Sequence, residues 1–296
     1  MNHFKITWTV EKNEAPVLLR DYLKTKQISK AALTDIKFQG GALFVNKEEV
    51  TVRKVLNSGD EVIVCFPPES KSESMEAEDI SINIVYEDEH FLVVNKPAGM
   101  PTIPSYYQPK GSLAAAVLFY YQEKGIPGTF HAVNRLDKDT SGIVLIAKHR
   151  FAHSLMSKKQ INKSIKRGYI AFVHGKVERL NGTIDSPIGR NPDSIIERMV
   201  REDGQQAITH YEKIDYLRDR DFSVVRLTLE TGRTHQIRVH MASIGHPLLG
   251  DDLYGGSYDF INRQALHSER TIFTHPFTDD QIKLEVSCPK DMKDLW

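Results

Sequence analysis

Long apolar runs, cysteines and tryptophans are all scarce in this chain of 296 residues. No stretch approaches the roughly 20 apolar residues that a membrane-spanning helix requires. The first residues, Met1 followed by Asn-His-Phe-Lys-Ile-Thr, lack the charged-then-apolar order of a secretory leader. The expectation from these two gaps is a soluble, cytoplasmic protein with no membrane partner. Cys65 and Cys288 are the only cysteines, far apart and outside any CxxC or Cys/His pattern, so neither a disulfide framework nor a zinc site is expected. An excess of either charge is missing too. Thirty-nine basic residues balance 39 acidic ones, which taken globally speaks against a protein that grips phosphates. There is no Gly-rich phosphate loop and no HExxH, and thus no sign of a metal or cofactor.

What is present points to a globular α+β protein with two cores, since the composition is 40% hydrophobic and 26% charged and the length exceeds one typical domain. The charge is unevenly spread. Between residues 67 and 90 eight acidic residues face a single lysine, while from Thr140 to Val177 there is no acidic residue at all. That second stretch collects Lys148, Arg150, Lys158, Lys159, Lys163, Lys166, Arg167 and Lys176, a candidate phosphate-facing ridge. The proline-led, serine-rich, acidic run beginning at Pro67 has too little apolar content to join a core, so residues 67–82 are read as a linker. Upstream, residues 1–66 begin with helical spacing over Val17–Leu23 and a second helix capped by Ser29, ended by Gly40-Gly41. Strands at 42–46 and 61–64 follow, with Ser58-Gly59-Asp60 turning between them. Downstream, residues 83–296 form the larger domain, opened by strands at 84–86 and 91–94 that lead into Asn95-Lys96-Pro97-Ala98-Gly99.

Asn134 to Lys148 reads Asn-Arg-Leu-Asp-Lys-Asp-Thr-Ser-Gly-Ile-Val-Leu-Ile-Ala-Lys. The apolar, β-branched half is a buried strand, and the half before it holds turn residues, which places Arg135 and Asp137 at the mouth of a sheet. In Thr231 to Met241, Ile237, Met241 and Ile244 follow helical spacing, so Arg238 is expected to project from a flank beside the buried face. His235, His240 and His246 do not make a zinc motif, because a spacing of five does not align two ligands on one helical face. Around Tyr169, alternation puts Tyr169, Ala171 and Val173 on one side of a strand and Ile170 and Phe172 on the other.

These blocks, together with Gly245–Asp251, Tyr254-Gly255, Arg263–His267 and Phe273–Pro276, resemble those of the RluA/RluD class of pseudouridine synthases, in the same order. The resemblance implies a mixed, largely antiparallel catalytic sheet and isomerisation of uridine to pseudouridine in structured RNA. It makes Asp137 the essential carboxylate, Arg238 its partner, Tyr169 the aromatic that stacks on the flipped uracil and can help remove the C5 proton, and Arg135 a holder of the target nucleotide or filler of its gap. Because a buried carboxylate needs a nearby cation to stay charged, an arginine that binds it bidentately is the fitting partner. Residues 1–66 likewise resemble the small RNA-binding domain named after ribosomal protein S-four, which implies RNA contacts through Lys30, Lys37, Arg53 and Lys54. Lys158, Lys159, Lys166 and Arg167 would extend that surface. Large-subunit ribosomal RNA is the substrate this pairing of domains implies, with transfer RNA as the alternative and a monomer as the expected state. A non-catalytic RNA-binding assembly factor and a glycosidase-like hydrolase are the competing classes, the latter disfavoured because it commonly needs a second carboxylate or a metal and no such pair stands out. Two departures stand out from the family pattern: Ile103-Pro104 replaces His-Pro, and Asn134 replaces the histidine before Arg-Leu-Asp.

Overall fold

Strand-forming sequence dominates the computed structural model, which describes residues 4–69 and 75–296. Among these residues lie a four-stranded sheet from the N-terminal part and a ten-stranded sheet from the remainder. In the small sheet, Lys5–Thr9 and Ala42–Val45 both pair antiparallel with Glu61–Cys65, and the two-residue strand Glu48–Glu49 pairs with Ala42–Val45. The helices Leu19–Thr25 and Lys30–Phe38 cover it, burying Leu19, Tyr22, Leu23 and Ile36. Ser29 caps the second helix as its sequence predicts, its hydroxyl accepting the Ala32 amide at 3.1 Å. The first helix starts later than its periodicity suggests, because Val17–Leu18 pairs with Val55–Leu56 as a short strand. The strand Lys5–Thr9 has too weak an alternation to be read from sequence and is fixed by its partner.

In the large sheet eight neighbours run Asn181–Asp185, Ile208–Leu217, Phe222–Leu229, Lys166–His174, Leu266–Thr274, Ser141–Ala147, Phe91–Lys96 and Ile84–Glu87, while Gln281–Glu285 pairs with Leu266–Thr274 and His131–Ala132 with Ser141–Ala147. Every pairing is antiparallel except Ser141–Ala147 with Leu266–Thr274. Ser141–Ala147 is buried over its whole length. Val144 and Ile146 enter one core with Tyr169, Ala171 and Val173, while Ile143, Leu145 and Ala147 enter another. Ile170 and Phe172 pack in a third, as the alternation of that strand requires. The parallel pair approaches so closely at Gly142 that a Cβ there would lie 2.2 Å from the Ser268 carbonyl oxygen, and its φ of +115° suits only glycine. The loop before this strand is thereby held against Leu266–Thr274.

The stretch read as a linker is not a free tether where it is described, and residues 70–74 of it lie outside the described residues. The Glu69 carboxylate meets His131 and the Thr129 hydroxyl and accepts the Arg150 amide at 2.6 Å. Glu78 accepts the Gly111 amide at 3.0 Å. Phe151 and Leu155, from the helix Arg150–Ile161, share the core of the small sheet. Burial alone would raise Glu69, but His131, Thr129 and the Arg150 amide bring it down to about 2 from 4.5. A carboxyl depressed in the folded state stabilises above its unfolded value, and that stabilisation disappears as pH falls through the folded value. Glu69→Gln is therefore expected to cost up to about 3 kcal/mol above pH 4.5, with the difference from wild type closing as pH falls toward about 2. Urea unfolding across that range checks it; a difference constant with pH would show that the charge of Glu69 does not matter.

Candidate active site

Asp137 begins a turn, its carbonyl accepting the Thr140 amide at 3.2 Å. Nearly every residue around it is tied down. The Asn134 amide bridges two backbone groups of the following strand, accepting the Leu145 amide at 2.8 Å and donating to the Ile143 carbonyl at 3.2 Å. The Leu136 carbonyl and amide both bond to the buried Thr102 hydroxyl, at 2.7 and 3.1 Å. The Lys138 carbonyl accepts from Lys96, the Asp139 carbonyl from Arg263, and the Thr140 hydroxyl from Gln264. Such a loop presents its carboxylate in one geometry before any substrate arrives.

Lys96 ends the strand Phe91–Lys96 with no solvent exposure. Its Nζ donates to the carbonyls of Met100, Pro97 and Lys138 at 2.7, 2.9 and 3.0 Å, one for each hydrogen of an ammonium. Burial pulls Lys96 down to about 7, with Asp139 and Asp137 pulling the other way. Lys96→Met would leave three carbonyls unpaired under the Asp137 loop, and a loss of about 3 kcal/mol in urea unfolding is expected. A wild-type midpoint would mean that water replaces the ammonium without cost.

Arg238 does not project from a flank. It lies on the helix Gln236–Ser243 with only 8% of its side chain exposed. Nε and Nη2 both donate to Asp251, at 2.7 Å each, and this fork leaves Nη1 to donate to the Asp137 carboxylate at 3.2 Å. Asp251 has no exposed side-chain surface, whereas the Asp137 side chain is 29% exposed. The guanidinium is thus locked from behind by a buried carboxylate and offers its free arm to an accessible one. Burial works against the charge of Arg238, but the two carboxylates more than compensate and raise it above its ordinary value. The Tyr254 ring lies 5.0 Å from the guanidinium carbon, and its hydroxyl meets His235 Nδ1 at 2.8 Å and the Arg198 amide at 2.9 Å. His235 Nε2 is 3.9 Å from Asp137, and burial lowers the imidazole below its ordinary value although Asp137 opposes the shift.

Tyr169 is 5% exposed, on the same sheet. Burial raises its hydroxyl, with Arg167 opposing and the Asp137 carboxylate adding to the shift. The ring packs in the same core as Leu136 and Ile237, the chain neighbours of Asp137 and Arg238, and its burial favours the protonated phenol.

The chain matches the RNA pseudouridylate synthase family over residues 90–243. It is 52% identical over 277 residues to YjbO, an uncharacterised RNA pseudouridine synthase of Bacillus subtilis, covering 94% of this chain and 97% of that protein. It belongs to this family. The synthase is also 37% identical over 270 residues to the ribosomal large subunit pseudouridine synthase D of Pseudomonas aeruginosa, covering 86% and 82% of the two chains. Among solved structures it resembles human RNA pseudouridylate synthase domain containing 1, with a TM-score of 0.59 and 25% identity over 71% of this chain and 85% of that one. Relatives and fold together make the synthase an RNA-modifying isomerase of the RluA/RluD class.

Of the residues singled out from sequence, Asp137 and Arg238 bond directly and Tyr169 shares a core with their chain neighbours Leu136 and Ile237, the three lying 32 to 101 positions apart along the chain. Arg135 is exposed next to them. Two residues leave the basic ridge. Arg167 is 7% exposed with Nη2 3.4 Å from the Thr231 carbonyl, because strand alternation turns Lys166 outward and Arg167 inward. Lys148 is 8% exposed and bonds Glu87 at 2.7 Å. Lys30, Lys37, Arg53, Lys54, Lys158 and Lys166 are exposed and Lys159 is half-buried. Lys158 points toward Gln27 of the small-sheet unit, 3.5 Å from two of its oxygens. The sequence blocks include Asp251 and Tyr254 without marking them as site residues, and nothing in them marks His235 as a neighbour of Asp137. Gly250, whose φ of +70° and close approach to the Arg263 carbonyl set the turn before Asp251, was the available signal.

Proposed function

We propose that the synthase converts uridine to pseudouridine in large-subunit ribosomal RNA, with the Asp137 carboxylate as the reacting group. The observation that carries this reading is the fork of Arg238, fixed by Asp251 and aimed at Asp137 across 3.2 Å. In the reaction the bond from uracil N1 to ribose C1′ breaks, the freed base turns, and C5 bonds to C1′. The C5 proton leaves and N1 is left protonated, so atoms balance without an oxidant or a second substrate. Both an attack on the sugar and removal of a ribose proton start from an ionised carboxylate, and Arg238 supplies a fixed positive charge opposite it. Tyr169 is suited to stacking against the uracil. Burial favours its protonated form, and the ring face is the contribution assigned to it here.

Residues 1–66 supply the second half of the proposal, as an RNA-binding module of the S-four type. Lys30 and Lys37 on one helix and Arg53 and Lys54 on the following loop are all exposed, as phosphate contacts must be. The large-subunit target follows from the ribosomal relatives and from this module together. Pseudouridine mapping by carbodiimide labelling and primer extension, in cells with and without the gene, tests it. One or a few large-subunit sites are expected to vanish and return with the wild-type gene. Loss confined to transfer RNA would overturn the ribosomal target.

A further inference from the structure

Tyr106 and Tyr107 are 93% and 83% exposed, among the most exposed large side chains described. They occupy the tip of a tight turn, in which the Ser105 amide donates to the Gln108 carbonyl at 3.0 Å and the Gln108 amide donates back to the Ser105 carbonyl at 3.2 Å. Two-residue turns of this kind ordinarily use glycine, asparagine or aspartate, so no local requirement explains two aromatic rings there. Nor does packing explain them. The only ring contact either makes among the described residues is with the other, at 5.4 Å between centroids and 90° between planes. The two rings thus form a right-angled corner open to solvent.

The loop is placed and stiffened for a purpose near the reaction. Its legs close where the Leu113 and Ala114 amides donate to the Pro101 and Thr102 carbonyls, at 2.9 and 3.2 Å. Thr102 is the residue whose hydroxyl holds Leu136, next to Asp137, and the Met100 carbonyl holds Lys96. Tyr106 is four positions after Thr102, so the tip stands within roughly 14 Å of that anchor. Pro104 and Pro109 flank the tip and restrict both legs, which reduces the ordering cost of binding there. From Met100 to Ala114 the chain carries Lys110 and no carboxylate, so nothing on the loop itself repels a phosphate. The loop is also where Ile103-Pro104 departs from the family pattern.

We propose that Tyr106 and Tyr107 stack an unpaired base of the substrate RNA close to the target uridine, making this corner a substrate-binding contact. Each ring offers a π-face that any base can cover, and the right angle lets one base lie on one ring while its edge meets the other. The inference rests on the RNA-isomerase reading above, and the test separates the two. Full-length wild type, Tyr106→Ala/Tyr107→Ala and Tyr106→Phe/Tyr107→Phe are compared on large-subunit ribosomal RNA from cells lacking the gene, and on a short single-stranded RNA carrying 2-aminopurine. For the double alanine variant KM should rise about tenfold, the equivalent of one lost stacked base, with kcat within about twofold of wild type. The double phenylalanine variant should match wild type, because it keeps both rings. Quenching of 2-aminopurine on binding should be lost with alanine and kept with phenylalanine. If wild type isomerises nothing in this RNA yet the quenching pattern holds, the ribosomal target falls and the stacking corner stands. If the double alanine variant keeps both its KM and its quenching, or if phenylalanine is as harmful as alanine, the corner does not stack a base.

Discussion

Asp137→Asn is expected to lower turnover by about 10⁴-fold or more while leaving RNA affinity and folding nearly intact. Asparagine keeps the shape and one oxygen for Arg238 Nη1, but it can neither attack a sugar carbon nor accept a ribose proton. The fold should tolerate the change, because the Asp137 side chain is 29% exposed and it is the backbone neighbours of the loop that carry the bonds to Thr102, Lys96 and Arg263. An accessible ion pair of this kind is worth about 1 kcal/mol or less. Release of tritium from RNA labelled at uridine C5 reads turnover, filter binding reads affinity, and urea unfolding reads stability. Residual turnover above a hundredth of wild type would remove Asp137 from the reacting role; lost binding would place it instead among the RNA contacts.

The second large effect is at a residue that cannot touch RNA. Asp251 is buried without side-chain exposure and holds two of the three guanidinium nitrogens of Arg238. Asp251→Asn removes the charge that balances the buried guanidinium and breaks the fork, so Arg238 is free to swing toward Asp137 and engage it differently. A displacement of even one ångström in such a clamp costs about 10²-fold in rate, so kcat is expected to fall by about that factor with KM nearly unchanged. Stability should fall by about 3 kcal/mol, the cost of leaving a buried ion partly unpaired. In combination with Arg238→Lys the rate losses should not add, since Asp251 acts through the arginine that the second change has already altered. A rise in KM at constant kcat, or full additivity, would mean that Asp251 influences RNA binding by another route.

Local features of the chain were legible where one segment supplies all of the information. The strand Ser141–Ala147 is apolar on both faces, and its burial throughout follows from that pattern alone. The alternation around Tyr169, the Ser29 cap and the turn at Asp137 are likewise properties of a few consecutive residues. Acidic composition, by contrast, said nothing about how Glu69 would be used, since His131 and Arg150 lie 62 and 81 positions away.

The sequence by itself singled out Asp137, Tyr169 and Arg238 as candidates, through ordered blocks that resemble those of the RluA/RluD class. Only the tertiary structure decided how they are held. Helical spacing placed Arg238 at a flank, but the turn from Leu248 to Asp251 brings a carboxylate behind it, and a buried guanidinium is stable only where such a partner stands. Lys96 beneath the loop, Gly142 against Ser268 and the inward turn of Arg167 are settled in the same way, by what a distant segment places opposite each residue. Burial and pairing depend on segments that are remote along the chain, and no local pattern encodes them.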